Sequence, residues 1–461
     1  MARGYRQTGR EGRPESGGVP RLEGMSDTPD HLVLPVDAVS AGRLAERGLH
    51  YRLLDTADES AYAAWIRADE RGFHGPASND EQNAFSRAAM GSRRTTGVWD
   101  PQSVLIAEPV ATVNSWPVEL SVPGETTVGA WAISSVTVSP THRRRGIARS
   151  LLEGELRTAQ RLGLPIASLT VSEATIYGRY GFGPATTAAD WRIDSRAAGW
   201  LGDEPDGRID FIPVEDYARI AFALHEAART ARPGEVDGWP ERWRQFAGLR
   251  PGDGDAAGVR TVQYREDGEV RAAAAFRVVE EPQREEHSVR VLHLDSTTPS
   301  ARLGVLRFLL SLDLVTRVDA SLLSVDEPLR WRLADQRAAE VTVRDHEWLR
   351  ILDVPRALEA RRFSGAGRFR LDVSDDLGLA TGRWLVESDA DGVVRVGDAG
   401  HDDDAPLLRT DVATLGSLYL GGVAVTTLAD AGRTAGSDAE AVLIADRVLR
   451  STVAPFLSFW Y

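Results

Sequence analysis

The stretch Ser134-Ser-Val-Thr-Val-Ser-Pro-Thr-His-Arg-Arg-Arg-Gly-Ile-Ala148 contains the residues most suited to chemistry. It joins a β-branched run, typical of a strand, to a helical run through a loop rich in arginine. The amides at a helix N-terminus point outward and the helix dipole favours negative charge there, so such a loop can hold a pyrophosphate. Gly146 and Ala148 allow close backbone approach. The alternative is an ordinary turn with a solvated run of arginines at 143–145.

Composition excludes several other chemistries. The 461-residue chain has a formal charge of −14, which argues against a nucleic-acid surface. It contains no cysteine, so thiolate nucleophiles, disulfides and cysteine-ligated metals are excluded. All 54 cationic residues are arginines, which excludes lysine-based Schiff-base or P-loop chemistry. We expect no metal, no membrane span and a cytoplasmic location.

The elements around the loop predict a mixed α/β fold. Strands are predicted at 103–107, 111–120 and 128–138, followed by a helix at about 144–162 and a strand at 166–171. This order is typical of α+β mixed sheets and not of a regularly alternating doubly wound sheet. The sequence itself shows no convincing internal repeat.

Two motifs resemble those of a known superfamily. Val138-x-Pro140-x-x-Arg143-x-x-Gly146-x-Ala148, followed by Tyr177-x-x-x-Gly181-Phe182, is similar to the signature of the GNAT N-acetyltransferases. The resemblance narrows to the actinobacterial Eis (enhanced intracellular survival) proteins. It rests on Thr137–Gly146, Ser172–Thr186, Trp348–Ile351, Leu358–Arg361 and Leu415–Gly421.

The Eis resemblance implies tandem GNAT-like domains followed by a C-terminal domain like sterol carrier protein, assembled as a homohexamer. The N-terminal residues are rich in arginine, glycine, proline and acidic side chains and have no apolar run, so we expect a disordered extension over 1–45. A catalytic GNAT domain is expected over 46–203. A second, degenerate GNAT-like domain that shapes the acceptor pocket is expected over 204–352, and the sterol-carrier-like domain over 353–461.

The resemblance also assigns residues to acetyl-CoA, the implied co-substrate. Val138 is the candidate for donating its N–H to the thioester carbonyl, where negative charge grows during the reaction. The complete set expected to bind the cofactor is Val136, Thr137, Val138, Arg143, Arg144, Arg145, Gly146, Ile147, Ala148, Arg149, Ser172 and Glu173.

Two catalytic residues follow from the same resemblance. Tyr177 is expected to protonate the departing thiolate, although a tyrosine in this cluster could instead simply pack in the core. The C-terminal carboxylate, which belongs to Tyr461, is expected to be the general base. The apolar tail from Val453 to Tyr461 agrees with a buried end. The alternative is a tail buried only for packing.

The acceptor is less defined than the donor. The family implies a primary amine on an aminoglycoside, a polyamine or a lysine side chain. This chain departs from the family pattern because it ends in Trp460-Tyr461, and because Gly72 stands where better-known members have aspartate. Asp69 and Glu70 are nearby, and the sequence does not show whether either of them faces the pocket. Two other functions stay open: a lipid or sterol carrier, and a CoA-binding scaffold without turnover.

Overall fold

The computed structural model describes residues 30–252, 256–281, 286–400 and 403–461, which form three β-sheets with helices packed against them. The helices are α1 Asp30–Val33, α2 Ala38–Ala45, α3 Glu59–Gly72, α4 Asp80–Met90, α5 Ile147–Arg161, α6 Ala174–Tyr177, α7 Ser195–Ala198, α8 Val214–Ala228, α9 Pro240–Phe246, α10 Pro299–Leu310, α11 Val354–Glu359, α12 Val412–Tyr419, α13 Val425–Asp430 and α14 Ala439–Leu449. The strands are β1 His50–Leu53, β2 Arg94–Trp99, β3 Ala111–Val122, β4 Thr126–Val138, β5 Ile166–Thr170, β6 Gly183–Pro184, β7 Thr187–Asp194, β8 Arg208–Phe211, β9 Val259–Glu266, β10 Glu269–Glu281, β11 Glu286–Ser296, β12 Val315–Leu323, β13 Ala339–Asp345, β14 Glu347–Ile351, β15 Gly367–Ser374, β16 Gly382–Ser388, β17 Val394–Asp398 and β18 Leu407–Asp411.

The first two sheets have the same architecture and exchange one strand. The first has the order β1-β2-β3-β4-β5-β14-β6, and the second has the order β8-β9-β10-β11-β12-β7-β13. In each sheet the fourth and fifth strands are parallel and the exchanged strand comes sixth. The predicted boundary between 203 and 204 therefore divides the sequence but does not separate the sheets. Strand β7, which precedes the boundary, belongs to the second sheet, and strand β14, which follows it, belongs to the first.

The predicted disorder of residues 1–45 is wrong for its last part. Helix α2 begins after Asp37, whose side chain accepts a hydrogen bond from the amide of Ser40 and pairs with Arg157 at 2.8 Å. Ser40 and Leu44 are buried against the first domain. The helix is amphipathic and packs on α5, which the short apolar pattern of this segment did not reveal. Residues 1–29 of the predicted extension lie outside the described residues.

The strand predicted at 103–107 is also wrong. The segment forms turns, and its Val104, Leu105 and Ile106 side chains are exposed. The strand that pairs with β3 is β2, which supplies the polar-looking run Arg94–Trp99 with every residue buried. A short apolar run has the composition of a strand, but burial, and not composition alone, decides which segment joins the sheet.

The third sheet, β17-β16-β15-β18, forms the C-terminal domain together with α11 to α14. Helix α12 fastens this domain to the first sheet at two glycines. A Cβ at Gly416 would lie 2.3 Å from the carbonyl oxygen of Leu349, and one at Gly183 would overlap the carbonyl oxygen of Ala413. Only glycine permits this close approach. None of the helices in the described ranges is long and apolar enough to cross a membrane.

Candidate active site

Strands β4 and β5 separate at the centre of the first sheet. They pair in parallel only from Ala130 to Ile133 on β4, whereas β4 continues to Val138. A bulge at Ser135, with φ of +53°, shifts the register against β3 at the point of separation. The last part of β4 therefore has one free edge, and that edge borders a cleft of about 660 Å³.

The backbone amide of Val138 faces this cleft. Ser139 donates its N–H to the carbonyl oxygen of Val110, just before β3, at 2.8 Å. Successive residues of an antiparallel strand direct their N–H groups to opposite sides, so the N–H of Val138 points away from β3. In this orientation the Val138 N–H can donate a hydrogen bond to the carbonyl oxygen of a ligand that lies along β4.

The loop after β4 leads into helix α5 and shapes the N-terminus of that helix. Arg144 and Gly146 both have left-handed backbones, with φ of +60° and +71°, and no side chain among the described residues caps the N-terminus of α5. Such a loop directs several N–H groups into one concavity, and the helix dipole adds positive potential. His142 holds the loop by a 2.9 Å contact with Asp100, and this hydrogen bond lowers the pKa of Asp100.

The arginines of the loop differ in their partners. Arg145 lies 3.6 Å from Asp100, and Arg149 pairs with Glu153 at 2.6 Å. Within the described ranges, no carboxylate forms an ion pair with Arg143 or Arg144, and both side chains are exposed. These two arginines are thus available to an anionic ligand.

The structure brings together nearly all of the residues predicted to bind the cofactor. Arg145 is not among those that line the cleft, because its side chain turns toward Asp100. The predicted residues that do line it are Val136, Thr137, Val138, Arg143, Arg144, Gly146, Ile147, Ala148, Arg149, Ser172 and Glu173.

Tyr177 ends helix α6 and lines the same cleft. Its ring packs edge-on against Phe182 at a centroid distance of 6.2 Å, while no described residue forms a hydrogen bond with its hydroxyl. Burial raises the pKa of the phenol, with a further contribution from the negative charge of Glu173. The hydroxyl is therefore protonated at neutral pH and free to donate a proton.

The C-terminal tail runs between the first two domains. Phe456 donates its N–H to the carbonyl oxygen of Pro233, and the carbonyl oxygen of Phe459 lies 3.1 Å from Nε2 of His346. Burial lowers the pKa of His346 to about 4, so the ring is neutral and Nε2 donates. At the end of the tail, an oxygen of the Tyr461 carboxylate accepts a hydrogen bond from Thr170 Oγ1 at 2.8 Å.

The phenol of Tyr461 is held by a buried polar cluster. Its hydroxyl contacts Ser168 Oγ and lies 3.3 Å from Glu347 Oε1, and Ser168 donates to the same oxygen at 2.6 Å. Burial raises the pKa of Glu347 to about 8, and the carboxyl is therefore mainly protonated at pH 7. Glu347 lies on β14, the strand that the second domain (204–352) contributes to the first sheet. A residue of the second domain therefore helps to hold the C-terminal residue in place.

Tyr461 lines a second cavity, of about 870 Å³, and not the cleft that contains Tyr177. Phe73 belongs to the walls of both cavities. One wall includes Arg93, whose guanidinium carbon lies 3.5 Å from the Trp116 ring centroid and 4.3 Å from that of Trp239. Burial lowers the pKa of Arg93 to about 9.

Two residues near the second cavity were not predicted. Glu347 contacts the phenol of Tyr461, and Arg93 packs on the rings of Trp116 and Trp239. Asp69, noted in the sequence only for its position near Gly72, lies one helical turn before that residue on α3 and lines the second cavity. Glu347 and Arg93 stand in ordinary strand-like and loop-like sequence, and only tertiary packing brings them to the site.

Comparisons with known proteins agree with this architecture. Acetyltransferase (GNAT) domain models match residues 54–185 and 234–351, and a sterol carrier protein domain model matches residues 354–458. The fold and the separated strands thus define a GNAT N-acetyltransferase with a second GNAT domain and a sterol carrier domain. GNAT domains use acetyl-CoA as their general kind of co-substrate.

The relatives narrow the family further. An uncharacterized N-acetyltransferase of Streptomyces avermitilis is 35% identical over 86% of this chain and 96% of its own length. N-acetyltransferase Eis of Mycobacterium tuberculosis is 33% identical over 72% of this chain and 81% of its own length. The crystal structure of Eis1 from Mycobacterium abscessus matches with a TM-score of 0.75 and 27% identity, covering 90% of this chain and all of that one. The chain belongs to the Eis-like family of N-acetyltransferases.

Proposed function

We propose that the protein transfers the acetyl group of acetyl-CoA directly to a primary amine. The observation that carries this proposal is the cleft itself: an uncapped helix N-terminus, a free strand edge and an unpartnered tyrosine hydroxyl line one cavity. The loop amides and the Arg143 and Arg144 side chains are assigned to the phosphates of CoA. The free edge of β4 is assigned to the pantetheine arm.

The chemistry assigned to these residues is direct transfer. The amine nitrogen forms a bond to the acetyl carbon while the carbon–sulfur bond breaks. The N–H of Val138 stabilises the negative charge that develops on the carbonyl oxygen. Tyr177 donates its proton to the departing thiolate, and the terminal carboxylate of Tyr461 accepts a proton from the attacking nitrogen.

The geometry of the tail supports the role of Tyr461. Its carboxylate lies beside Thr170, the last residue of β5, and two residues farther along the chain Ser172 lines the cofactor cleft. A carboxylate at the end of a parallel strand is well placed to meet an amine that enters from the second cavity. The same position is harder to explain as simple apolar packing, because a charged terminus is costly to bury.

The acceptor is proposed to be an aminoglycoside, a polyamine or a lysine-like amine, as in the family resemblance. The thiol released from acetyl-CoA by the full chain is measured with kanamycin, spermidine and Nα-acetyl-lysine amide. A chain lacking Trp460 and Tyr461 is the comparison. Activity that disappears with these two residues supports the proposal. CoA binding without turnover of any amine favours a scaffold instead.

The family likeness also leads us to propose a cytoplasmic homohexamer. Light scattering of the purified full chain tests the assembly, since a hexamer of this 50.2 kDa chain scatters about six times as strongly, per unit mass, as a monomer. A stable monomer at micromolar concentration contradicts the proposed assembly.

A further inference from the structure

We propose that Asp69 is an additional catalytic residue, which binds the ammonium group of the acceptor and takes the first proton from it. The inference rests on the proposed amine acetylation and names a group in the wall of the second cavity, one helical turn before Phe73, which borders both cavities. The terminal carboxylate of Tyr461 keeps its role at the later step, when the attacking nitrogen loses its second proton.

The position of Asp69 follows from the end of helix α3. Gly72, one turn later, packs so tightly on β4 that a Cβ there would lie 2.5 Å from Cβ of Thr137. Gly72 lines the cofactor cleft, whereas Asp69 lines the second cavity, and Phe73 borders both. Asp69 is therefore placed where an amine in the second cavity would approach the cofactor strand.

Hydrogen bonds direct the carboxyl toward β4. Thr112 Oγ1 lies 3.4 Å from Asp69 Oδ1 and 2.6 Å from the hydroxyl oxygen of Thr137. The same Thr112 oxygen lies 2.8 Å from the carbonyl oxygen of Ser135, the residue of the bulge, so its one proton is directed to either of these two acceptors. The carboxyl is thus linked to the stretch of β4 that separates from β5.

The chemistry of Asp69 suits a base near neutral pH. Burial raises the pKa of its carboxyl to about 7, and the Ser135 and Thr112 hydroxyls only partly oppose this rise. A general base is most effective when its pKa lies near the working pH. The adjacent Glu70 is occupied differently, because it accepts hydrogen bonds from the amide and hydroxyl of Ser78.

Other charged or titratable groups interact with Asp69 or line the same cavity, and they enter the pH dependence. Glu70 on the same helix raises the pKa of Asp69 further. The remaining groups belong to the same helix, the segment before β2, helix α9 with the loop after it, and the tail: Tyr62, Arg93, Glu241, Arg242, Arg250 and Tyr461.

The proton transfers balance. The acceptor ammonium gives one proton to the Asp69 carboxylate, and the free amine then attacks the acetyl carbon. The nitrogen loses its second proton to the terminal carboxylate, while Tyr177 protonates the thiolate as the carbon–sulfur bond breaks. The terminal carboxylate returns its proton to Tyr177 and Asp69 releases its own to solvent, so one proton is released per turnover.

The test compares Asp69→Asn with Glu59→Gln, an exposed carboxylate at the start of the same helix. In the wild type, kcat/KM for the best amine of the panel should rise about tenfold per pH unit below pH 7 and level off above it. Asp69→Asn should be about a hundredfold slower at pH 8 and lose this limb. Glu59→Gln should keep the wild-type profile.

Two further readouts keep the result interpretable. The melting temperature and the CoA affinity of Asp69→Asn show that the variant is folded. Calorimetry with spermidine and CoA, without an acetyl group, should show at least about tenfold weaker amine binding for Asp69→Asn than for the wild type.

A variant that keeps the pH limb and binds spermidine as the wild type does overturns the proposal. A wild type that binds CoA but acetylates no amine overturns the proposed function, and the calorimetry then decides on Asp69 alone.

Discussion

The two GNAT-like sheets share one strand order but differ at the junction between the fourth strand and the following helix. In the first, the β4–α5 loop contains left-handed Arg144 and Gly146, and the helix has no side-chain cap from the part of the chain that the structure describes. In the second, the β11–α10 loop has no glycine, and Thr298 accepts a hydrogen bond from the amide of Ala301. The helix end that can receive an anion in one sheet is therefore occupied by its own chain in the other.

A second difference concerns the arginines near the two junctions. Arg302 of α10 is buried, and its Nε lies 2.7 Å from Glu327 Oε2. This arginine is therefore paired within the domain and is not available to a ligand. Arg143 and Arg144 of the first domain are exposed at the cleft. The comparison teaches that a repeated fold retains its strands while a few loop residues decide whether a ligand site exists.

Converting the first junction toward the second should have the largest effect. Gly146→Val places a β-branched residue at φ of +71°, which the loop can accommodate only by moving its amides. Each hydrogen bond to a charged group contributes about 1.5–3 kcal/mol, so the loss of two weakens CoA binding about a thousandfold. Calorimetric titration with CoA measures this. Affinity within threefold of the wild type would contradict the assignment of the loop.

The next effect concerns the Tyr177 hydroxyl at the cleft of the first domain. Tyr177→Phe should lower kcat about a hundredfold and leave KM for acetyl-CoA nearly unchanged, because the phenol acts on the departing thiolate. Tyr264→Phe removes a buried hydroxyl from the second domain and serves as the matched control. Steady-state thiol release measures both variants. Equal kcat values for the two would remove Tyr177 from the mechanism.

A smaller effect is expected where the second segment supports the first. Tyr461→Phe retains the terminal carboxylate but loses the contacts of the phenol with Ser168 and Glu347. We expect kcat to fall about tenfold, because the phenol helps to hold the terminal carboxylate in place. The free energy of unfolding should fall by about 1–3 kcal/mol, because Ser168 and Glu347 lose a buried hydrogen-bond partner. Thiol release and urea unfolding measure the two quantities. Unchanged kcat with lowered stability would reduce the phenol to a purely structural contact.

The smallest effect is expected at the second junction. Thr298→Ala removes the cap of α10 and should lower the free energy of unfolding by about 1 kcal/mol. CoA binding and kcat should not change, since the second junction is not assigned to the cofactor. Thermal melting and CoA titration of the variant check this. A marked loss of CoA affinity would mean that the second junction takes part in binding.

Much of the first site could be predicted because its determinants are local. The β-branched strand, the arginine loop, Gly146 and the following amphipathic helix are contiguous, and the predicted helix at 144–162 agrees with α5 at Ile147–Arg161. Family membership was also predicted correctly from these motifs. The prediction of roles for Tyr177 and Tyr461 stays a prediction.

The rest could not be predicted because its determinants are distant along the chain. Glu347 is 114 residues from Tyr461, and only the exchange of β7 and β14 brings its strand beside β5. The two segments likewise show no convincing similarity to each other in sequence, since many different side chains can fill equivalent buried positions.

The sequence by itself determined the kind of protein and the loop that can hold a phosphate, because backbone conformation over a few residues depends on those residues. Only the tertiary structure decided that the C-terminus lies beside Thr170, that Asp69 lines the second cavity and that Arg145 turns to Asp100. Such placements depend on packing between segments far apart in the chain, and no local pattern specifies them.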